Sequence, residues 1–443
     1  MAVLKGLAGV LCAFVVLSAG MSAAEPLQAA GRPNVVILFA DDMGYGDLSC
    51  FGHPTIRTPN LDRMAQEGMR LTSFYVAAPV CTPSRVGLLT GRYPIRAGQP
   101  GNTGPGKMGG LPLTEILIPQ VLKPLGYKTM IVGKWHLGYQ PEEYLPYKRG
   151  FDHWYGLPYS NDHKRPFVDT DVPLWLYRDS EKIEYPVVQE TLTERYTDEA
   201  IKFIKASKGS PFFLYVPYAM PHLPVSASGK FRVTSRAGLY GDVIETIDYS
   251  AGRILETLQS EGLDDNTLVI FTSDNGPWLN LPDRMLQDGN EWWHTGSPSL
   301  LNGAKGTTYE GGHRVPFIAR WPGTIPPRQI SSDIVSSLDI FPMVVKAAGG
   351  DVPQDRTMDG SDILPFLQGQ SASPRKEFFY CVGKNLQAVR EGPWKYREVR
   401  NVIELYHLDR DPAEKYNVAE RYTDIAARLQ AKLESFKESV HDN

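Results

Sequence analysis

Four continuous runs of apolar, β-type residues constrain the fold of this chain most strongly. Runs of this kind suit strands that are buried on both faces, as in a parallel sheet. Between them lie stretches with helical periodicity, and this alternation predicts an α/β protein built on a parallel sheet. The runs cover residues 34–39, 128–132, 212–216 and 268–272.

Each run leads into polar side chains that suit catalysis or metal binding. In open parallel sheets, ligands bind beyond the carboxyl ends of the strands. Any one of these segments alone could be a solvated loop, but four together favour an active site at one edge of the sheet. The residues are Asp41 and Asp42 after the first run, Lys134 and His136 after the second, His222 after the third, and Asp274 and Asn275 after the fourth.

The two ends of the chain differ from its middle. Residues 1–24 have the charged start, apolar run and small-residue end of a secretory signal peptide, which predicts an exported, periplasmic or secreted protein. A buried N-terminal helix is the alternative.

We assign residues 25–370 to a catalytic domain and residues 371–443 to a C-terminal α+β subdomain. That subdomain is predicted to contain short antiparallel strands at 378–380, 386–389 and 394–396 and a closing amphipathic helix.

Composition excludes some partners. The chain has 46 Lys and Arg against 50 Asp and Glu, so it lacks the basic excess expected of a nucleic-acid-binding protein. No apolar run after the signal segment is long enough to span a membrane.

Removal of the signal peptide would leave Cys50, Cys81 and Cys381, which allow at most one disulfide bond within the chain. The sequence does not decide which of the three would pair.

Cys81 begins the segment Cys81-Thr82-Pro83-Ser84-Arg85, which is predicted to open a helix ending at Gly91. The free N–H groups and the dipole at a helix N-terminus favour an anion, and nearby positive charge lowers the pKa of a thiol. A buried structural cysteine, or one disulfide-bonded to Cys50, is the alternative interpretation of this segment alone.

The motif Cys81-x-Pro83-Ser84-Arg85, followed by Leu-Leu-Thr-Gly-Arg at 88–92, resembles the signature of the type I sulfatase family. Within that family the chain resembles arylsulfatase A and N-acetylgalactosamine-6-sulfatase. This resemblance implies an alkaline-phosphatase-like α/β fold, with a large, mixed or mostly parallel sheet flanked by helices. It extends over most of the mature chain, through blocks at residues 41–44, 58–62, 133–138, 272–276 and 305–312.

The resemblance also implies the chemistry. A formylglycine-generating maturase would convert Cys81 to formylglycine, and a Ca²⁺ ion would be held by Asp41, Asp42, Asp274 and Asn275, with the modified Cys81 completing its shell. The residue types agree independently, because three carboxylates and an amide oxygen form a hard, all-oxygen set that suits Ca²⁺.

The remaining matched positions imply roles in binding and proton transfer. Arg85, Lys134 and Lys305 match the cationic residues of the family, and Ser160 matches its sulfate-contacting serine. His222, with Lys305, would protonate the departing alcohol, and His136 would take a proton from the formylglycine hydrate so that sulfate is eliminated.

The predicted substrate is a sulfate monoester on a carbohydrate, with pocket walls at residues 159–166 and 281–297, the second containing Trp292 and Trp293. Packing beneath a loop is the alternative for the tryptophan pair. Two other functions stay open: a phosphonate monoester or phosphodiester hydrolase that uses the same modified cysteine, and a catalytically silent glycan-binding protein.

Overall fold

The structure is a computed structural model that describes residues 31–441. The predicted signal peptide, residues 1–24, lies outside the described residues. The strands are β1 Asn34–Ala40, β2 Met69–Leu71, β3 Phe74–Tyr75, β4 Gly109–Gly110, β5 Lys128–Val132, β6 Gly138–Gln140, β7 His153–Gly156, β8 Leu176–Arg178, β9 Glu181–Glu184, β10 Phe212–Pro217, β11 Thr267–Ser273, β12 Phe317–Arg320, β13 Gln329–Ser331, β14 Val335–Ser336, β15 Glu377–Val382, β16 Asn385–Glu391, β17 Trp394–Val399 and β18 Val402–His407.

Helices alternate with these strands over most of the chain, as the periodicity predicts. The longest, α5, ends just before Gly262, whose φ of 68° is the left-handed conformation that terminates many helices. The α-helices are α1 Pro59–Gln66, α2 Cys81–Thr90, α3 Ile118–Leu122, α4 Leu192–Ala206, α5 Gly238–Ser260, α6 Glu310–His313, α7 Ile340–Ala347, α8 Leu364–Leu367 and α9 Thr423–His441.

The large sheet has the strand order β13-β2-β12-β11-β1-β10-β5-β7-β8-β9. The four apolar runs form its centre, where β11, β1, β10 and β5 are parallel neighbours. Antiparallel pairs, β11 with β12 and β7 with β8, flank this parallel block. The sheet is therefore mixed, as predicted, and the carboxyl ends of its central strands lie at one edge.

Both faces of the central strands are buried, which explains why their sequences are apolar without alternation. Val36 and Leu38 of β1 pack in one hydrophobic core with residues of α4 and α5. Val35 and Ile37 face a second core that contains residues of α2 and α7. The helices on the two faces hold the sheet, and hence the strand ends, in fixed positions.

The C-terminal part forms the predicted small antiparallel sheet, in the order β15-β16-β17-β18, and α9 packs against it through Leu429 and Leu433. The sequence predicted three of these strands, and the structure adds β18. Its first residues, Val402 and Ile403, are exposed, so the strand lacks the buried pattern that marks the others. The proposed domain boundary at residue 370 stays a prediction.

Cys50, Cys81 and Cys381 are all free thiols, and the latter two are buried. Among residues 31–441, none of the helices has the length and apolar character needed to cross a membrane.

Candidate active site

The ends of the parallel strands place the predicted site residues side by side. The backbone N–H of Asp274, after β11, donates to the carbonyl of Ala40 at the end of β1, at 3.0 Å. The N–H of Asp42 in turn donates to Oδ1 of Asp274, also at 3.0 Å. Asp42 and His136 have φ values of 64° and 62°, a left-handed conformation that non-glycine residues seldom adopt. Such backbone geometry is concentrated at functional sites.

Cys81 is the first residue of α2, as predicted, and it lies at the centre of the site. Its Sγ is 3.6 Å from Oδ1 of Asp41, and its side chain is buried. Burial raises the pKa of the Cys81 thiol, although Lys134 and Lys305 act to lower it. The expectation of a lowered thiol pKa is therefore wrong for the unmodified cysteine, because loss of water outweighs the nearby cations.

Three cationic side chains pair with the three carboxylates. Nη2 of Arg85 lies 2.7 Å from Asp274 and 3.3 Å from Asp41, and Nζ of Lys134 lies 2.5 Å from Oδ2 of Asp41. Nζ of Lys305 lies 2.8 Å from Oδ2 of Asp42. These pairs come from α2 and from loops far apart in the sequence.

Burial changes the pKa of two of these acids. It raises the pKa of both Asp42 and Asp274, against the lowering influence of the paired cations. Carboxylates held so far from water are costly to ionise without positive charge around them. The arrangement thus favours added positive charge among the carboxylates.

The donor set includes an unsatisfied oxygen. Nδ2 of Asn275 donates to Oδ1 of Asp42 at 2.7 Å, while Oδ1 of Asn275 is buried without a hydrogen-bond partner among the described residues. Asp41, Asp42, Cys81 and His222 offer ligand atoms that all lie within 4.8 Å of one another. A buried amide oxygen left free beside carboxylates fits a hard cation, so these residues could hold a metal ion.

The two predicted proton-transfer histidines are both buried beside this cluster. Nε2 of His136 is 3.0 Å from the carbonyl of Thr103. Nδ1 of His222 is 2.6 Å from the carbonyl of Leu223, which leaves Nε2 free to face Asp42 at 3.6 Å. Burial lowers the pKa of both imidazoles well below the ordinary value, and nearby lysines lower it further. Burial thus favours the neutral form of both rings.

Ser160 completes the set. Its Oγ accepts a hydrogen bond from Nζ of Lys134 at 3.2 Å. The structure thus brings every sequence-predicted site residue to one edge of the sheet, although their chemical roles stay predictions.

The sequence pattern of the sulfatase family matches residues 33–350. The chain belongs to the sulfatase family. The C-terminal pattern of N-sulphoglucosamine sulphohydrolase matches residues 304–439, which include the small sheet and most of α9. Membership makes this sulfatase a sulfuric ester hydrolase.

Individual relatives agree over nearly the whole chain. N-acetylgalactosamine-6-sulfatase of Mus musculus is 40% identical, over 94% of this sulfatase and 88% of the relative. Arylsulfatase A of Homo sapiens is 37% identical, over 91% and 85% of the two chains. A solved structure from Bacteroides thetaiotaomicron, described in connection with the metabolism of multiple glycosaminoglycans, superposes with a TM-score of 0.81 at 29% identity, covering 92% of this chain and 100% of that one.

Several residues of the sulfatase site were missed by the sequence reasoning. Trp278 lies with its ring 5.4 Å from that of His222, and the ring of His163 lies 5.4 Å from that of His136. Asp162 is buried next to them. Asp162 and His163 fall inside the predicted wall at 159–166, but their residue types gave no reason to single them out.

The structure excludes one alternative for the tryptophan pair that the sequence left open. The side chains of Trp292 and Trp293 are 54% and 69% exposed, so they do not pack beneath their loop. His313, which follows the motif block at residues 305–312, is fully buried, with Nδ1 3.0 Å from the carbonyl of Val76.

Proposed function

We propose that this protein is an exported sulfatase that hydrolyses a sulfate monoester of a carbohydrate, using formylglycine made from Cys81 and a bound Ca²⁺. The observation that carries the proposal is the buried cluster in which three cations meet three carboxylates around the first residue of α2. A carbohydrate substrate is supported by the name of the N-acetylgalactosamine-6-sulfatase relatives. Export is supported by the signal-like pattern of residues 1–24.

Asp41, Asp42, Asp274 and Asn275 would hold the Ca²⁺, because they supply hard oxygen ligands, one of them unsatisfied in the described structure. When present, the Ca²⁺ supplies positive charge for the sulfate, and the formylglycine hydrate supplies a hydroxyl nucleophile with a second hydroxyl to release the product. With Arg85, Lys134 and Lys305, the charges of the loaded site sum to a positive value, which suits an anionic substrate.

The cations are fixed before substrate arrives. Lys134 is held by Asp41 and Ser160, and Arg85 also donates to the carbonyl of Lys134 at 3.2 Å. Such preorganised charges stabilise sulfate oxygens that gain charge in the transition state, at little cost in reorganisation. Ser160 would contribute a hydroxyl to the sulfate from the same side.

His222 would donate a proton to the departing alcohol, with Lys305 beside it. Its Nδ1 is held by the carbonyl of Leu223, so Nε2 is the atom that faces the site. A bound sulfate ester brings negative charge, which favours the imidazolium form that this role needs. His136, held through Nε2 by Thr103, would accept a proton on the other side through Nδ1, which has no hydrogen-bond partner among the described residues.

The first test combines mass and activity on one preparation. The protein is co-expressed with a formylglycine-generating enzyme, and the tryptic peptide 71–85 is weighed. We expect the mass of an aldehyde in place of the Cys81 thiol, and sulfate release from sulfated monosaccharides that is absent in Cys81→Ala. An unmodified thiol under these conditions would contradict the formylglycine proposal.

The two alternative functions are separated on the same preparation. Faster turnover of a phosphodiester or phosphonate monoester than of any sulfate ester would favour the phosphonate hydrolase. A matured protein that binds sulfated glycans, keeps that affinity in Cys81→Ala and releases no sulfate would be a binding protein. We expect sulfate release, and this result would exclude the binding protein.

A further inference from the structure

Asp162 is a buried carboxylate at the edge of the active site, and one of its oxygens has no hydrogen-bond partner among the described residues. Its side chain is only 6% exposed, and its Oδ1 has no hydrogen-bond partner among the described residues. Buried carboxylate oxygens are costly unless they accept hydrogen bonds. No role in the proposed chemistry requires Asp162, so its free oxygen calls for another explanation.

The two residues before Asp162 anchor its segment to the site. Ser160 contacts Lys134, and Nδ2 of Asn161 donates to the carbonyl of His222 at 3.2 Å. Nε2 of His163 lies 3.8 Å from Oδ1 of Asp162, outside hydrogen-bond distance. These contacts place Asp162 beside the loop that holds His222.

The ring of Trp278 lies beside that of His222, and the guanidinium of Arg284 lies near both Trp278 and Asp162. Trp278 is half-buried, with its ring against His222, and Nζ of Lys305 lies 4.5 Å from the centre of that ring. Arg284 lies with its guanidinium 6.0 Å from the same ring, and its Nη1 is 3.8 Å from Oδ2 of Asp162. The side chain of Arg284 is 44% exposed, so a ligand can reach this guanidinium from solvent.

We propose that Asp162 accepts a hydrogen bond from a ring hydroxyl of the departing sugar, and that Trp278 and Arg284 form the facing wall. The inference rests on the proposed function, because it takes the alcohol to leave beside His222. A hydroxyl is the donor that the free oxygen of Asp162 lacks, while an aromatic face and a guanidinium suit the rest of a sugar ring. Asp162 thereby selects sugar sulfates over aryl sulfates, whose phenol ring has no such hydroxyl.

A kinetic comparison tests the selection. The substrates are N-acetylgalactosamine 6-sulfate, its 4-deoxy analogue, which lacks the ring hydroxyl nearest the sulfate, and 4-nitrophenyl sulfate. Because a hydrogen bond to a charged group is lost, Asp162→Ala should lower kcat/KM for the sugar roughly 10–100-fold more than for the aryl sulfate. Asp162→Asn, which keeps an acceptor oxygen and the side-chain shape, should lose less.

The deoxy analogue gives the decisive comparison. The wild type should process it roughly 10–100-fold more slowly than the parent sugar, whereas Asp162→Ala should treat the two alike, since the partner of that hydroxyl is gone. Asp171→Asn is the matched control, because this carboxylate is 94% exposed and pairs only with Arg165 among the described residues. It should keep the wild-type ratio of the two rates.

Binding provides a readout that does not depend on formylglycine. In a Cys81→Ala background, calorimetry should show that Asp162→Ala weakens N-acetylgalactosamine 6-sulfate about tenfold more than it weakens inorganic sulfate. Equal slowing of sugar and aryl sulfates, or an undiminished deoxy effect in Asp162→Ala, would overturn the inference. Turnover of 4-nitrophenyl sulfate without any sugar sulfate would overturn it too. If a matured enzyme released sulfate from neither class, the proposed function itself would fail.

Discussion

The guanidinium of Arg85, in α2, donates to Oδ2 of Asp274, at the end of β11, across 2.7 Å with both side chains fully buried. This contact joins the helix that begins with Cys81 to the strand end that supplies two of the proposed metal ligands. Because a buried charge is costly when its partner is absent, each residue constrains the position of the other. The proposed sulfate-binding charges and the proposed nucleophile are therefore positioned by one network.

Metal addition should stabilise the fold. Protein stripped with a chelator is expected to gain thermal stability on titration with Ca²⁺, because binding to the folded state adds about 2.7 kcal/mol at one hundred times Kd. Mg²⁺ should stabilise less, since it demands a tighter octahedral shell. Differential scanning calorimetry measures both effects.

The ligand assignment predicts which variants lose that response. Asn275→Ala and Asp42→Asn should reduce the Ca²⁺-dependent rise in Tm, while Asp169→Asn, a 91% exposed carboxylate, should keep it. An undiminished response in Asn275→Ala would contradict the proposed site.

Removal of the His222 ring should affect substrates according to their leaving groups. We expect His222→Ala to slow a sugar sulfate by roughly 10²–10⁴-fold, because a sugar alcohol leaves poorly without a proton. 4-Nitrophenyl sulfate should be slowed far less, since nitrophenolate is a good leaving group. Steady-state kinetics on both substrates, with the exposed His153→Ala as control, would refute the role of His222 if the two rates fell equally.

Gly276 should tolerate no side chain. A Cβ there would collide with the backbone carbonyl oxygen of Gly311, which cannot move as a flexible side chain would. Gly276→Ala should therefore cost about 1–3 kcal/mol of unfolding free energy and displace the adjacent Asn275. Urea unfolding, compared with Gly229→Ala where a Cβ meets nothing within 4 Å, measures the cost. Equal stabilities of the two variants would show that the backbone relaxes.

Lys395, on β17, should be essential for joining the C-terminal sheet to the rest of the fold. Its Nζ lies 3.0 Å from Glu310 of α6 and 2.7 Å from Glu414, with all three side chains fully buried. Lys395→Met would remove the cation that Glu414 pairs with and leave Glu310 paired with Arg314, at a cost of about 3–5 kcal/mol. Chemical unfolding should show this loss, whereas Lys437→Met, in a partly exposed pair, should change stability by less than about 1 kcal/mol.

Glu414 should make stability depend on pH. Burial raises its pKa from 4.5 to about 7, with Lys395 lowering it and Glu310 raising it. A raised carboxyl pKa means that the folded state holds a proton which the unfolded state has lost. The stabilising contribution is therefore complete below pH 4.5 and disappears as pH rises through 7.

The measurement compares Glu414→Gln with the wild type by urea unfolding between pH 5 and pH 8. Since glutamine does not titrate, the stability of the wild type relative to the variant should fall across this range, by at most about 1.4 kcal/mol per pH unit. A difference that stays constant, or rises with pH, would contradict the raised pKa of Glu414.

The sequence alone predicted most of the fold and most of the site. The four apolar runs became the parallel centre of the sheet, because strands buried on both faces have a local signature that needs no knowledge of their neighbours. The polar residues that come directly after these strands lie close together, because parallel strands bring their carboxyl ends to one edge of the sheet. Strand β18 was missed because its exposed Val402 and Ile403 break that signature.

What the tertiary structure decided is the environment of each group. The sequence predicted a helix N-terminus for Cys81, but only the packing of α2 shows that burial raises the pKa of its thiol. Asp162 and Trp278 are recognised as site residues only from their distances to His163 and His222. Periodicity reflects contacts between residues that are near in sequence, and motifs reflect residue types that match a known pattern. Desolvation and the free oxygen of Asp162 depend instead on atoms brought together from distant segments, which a linear pattern does not contain.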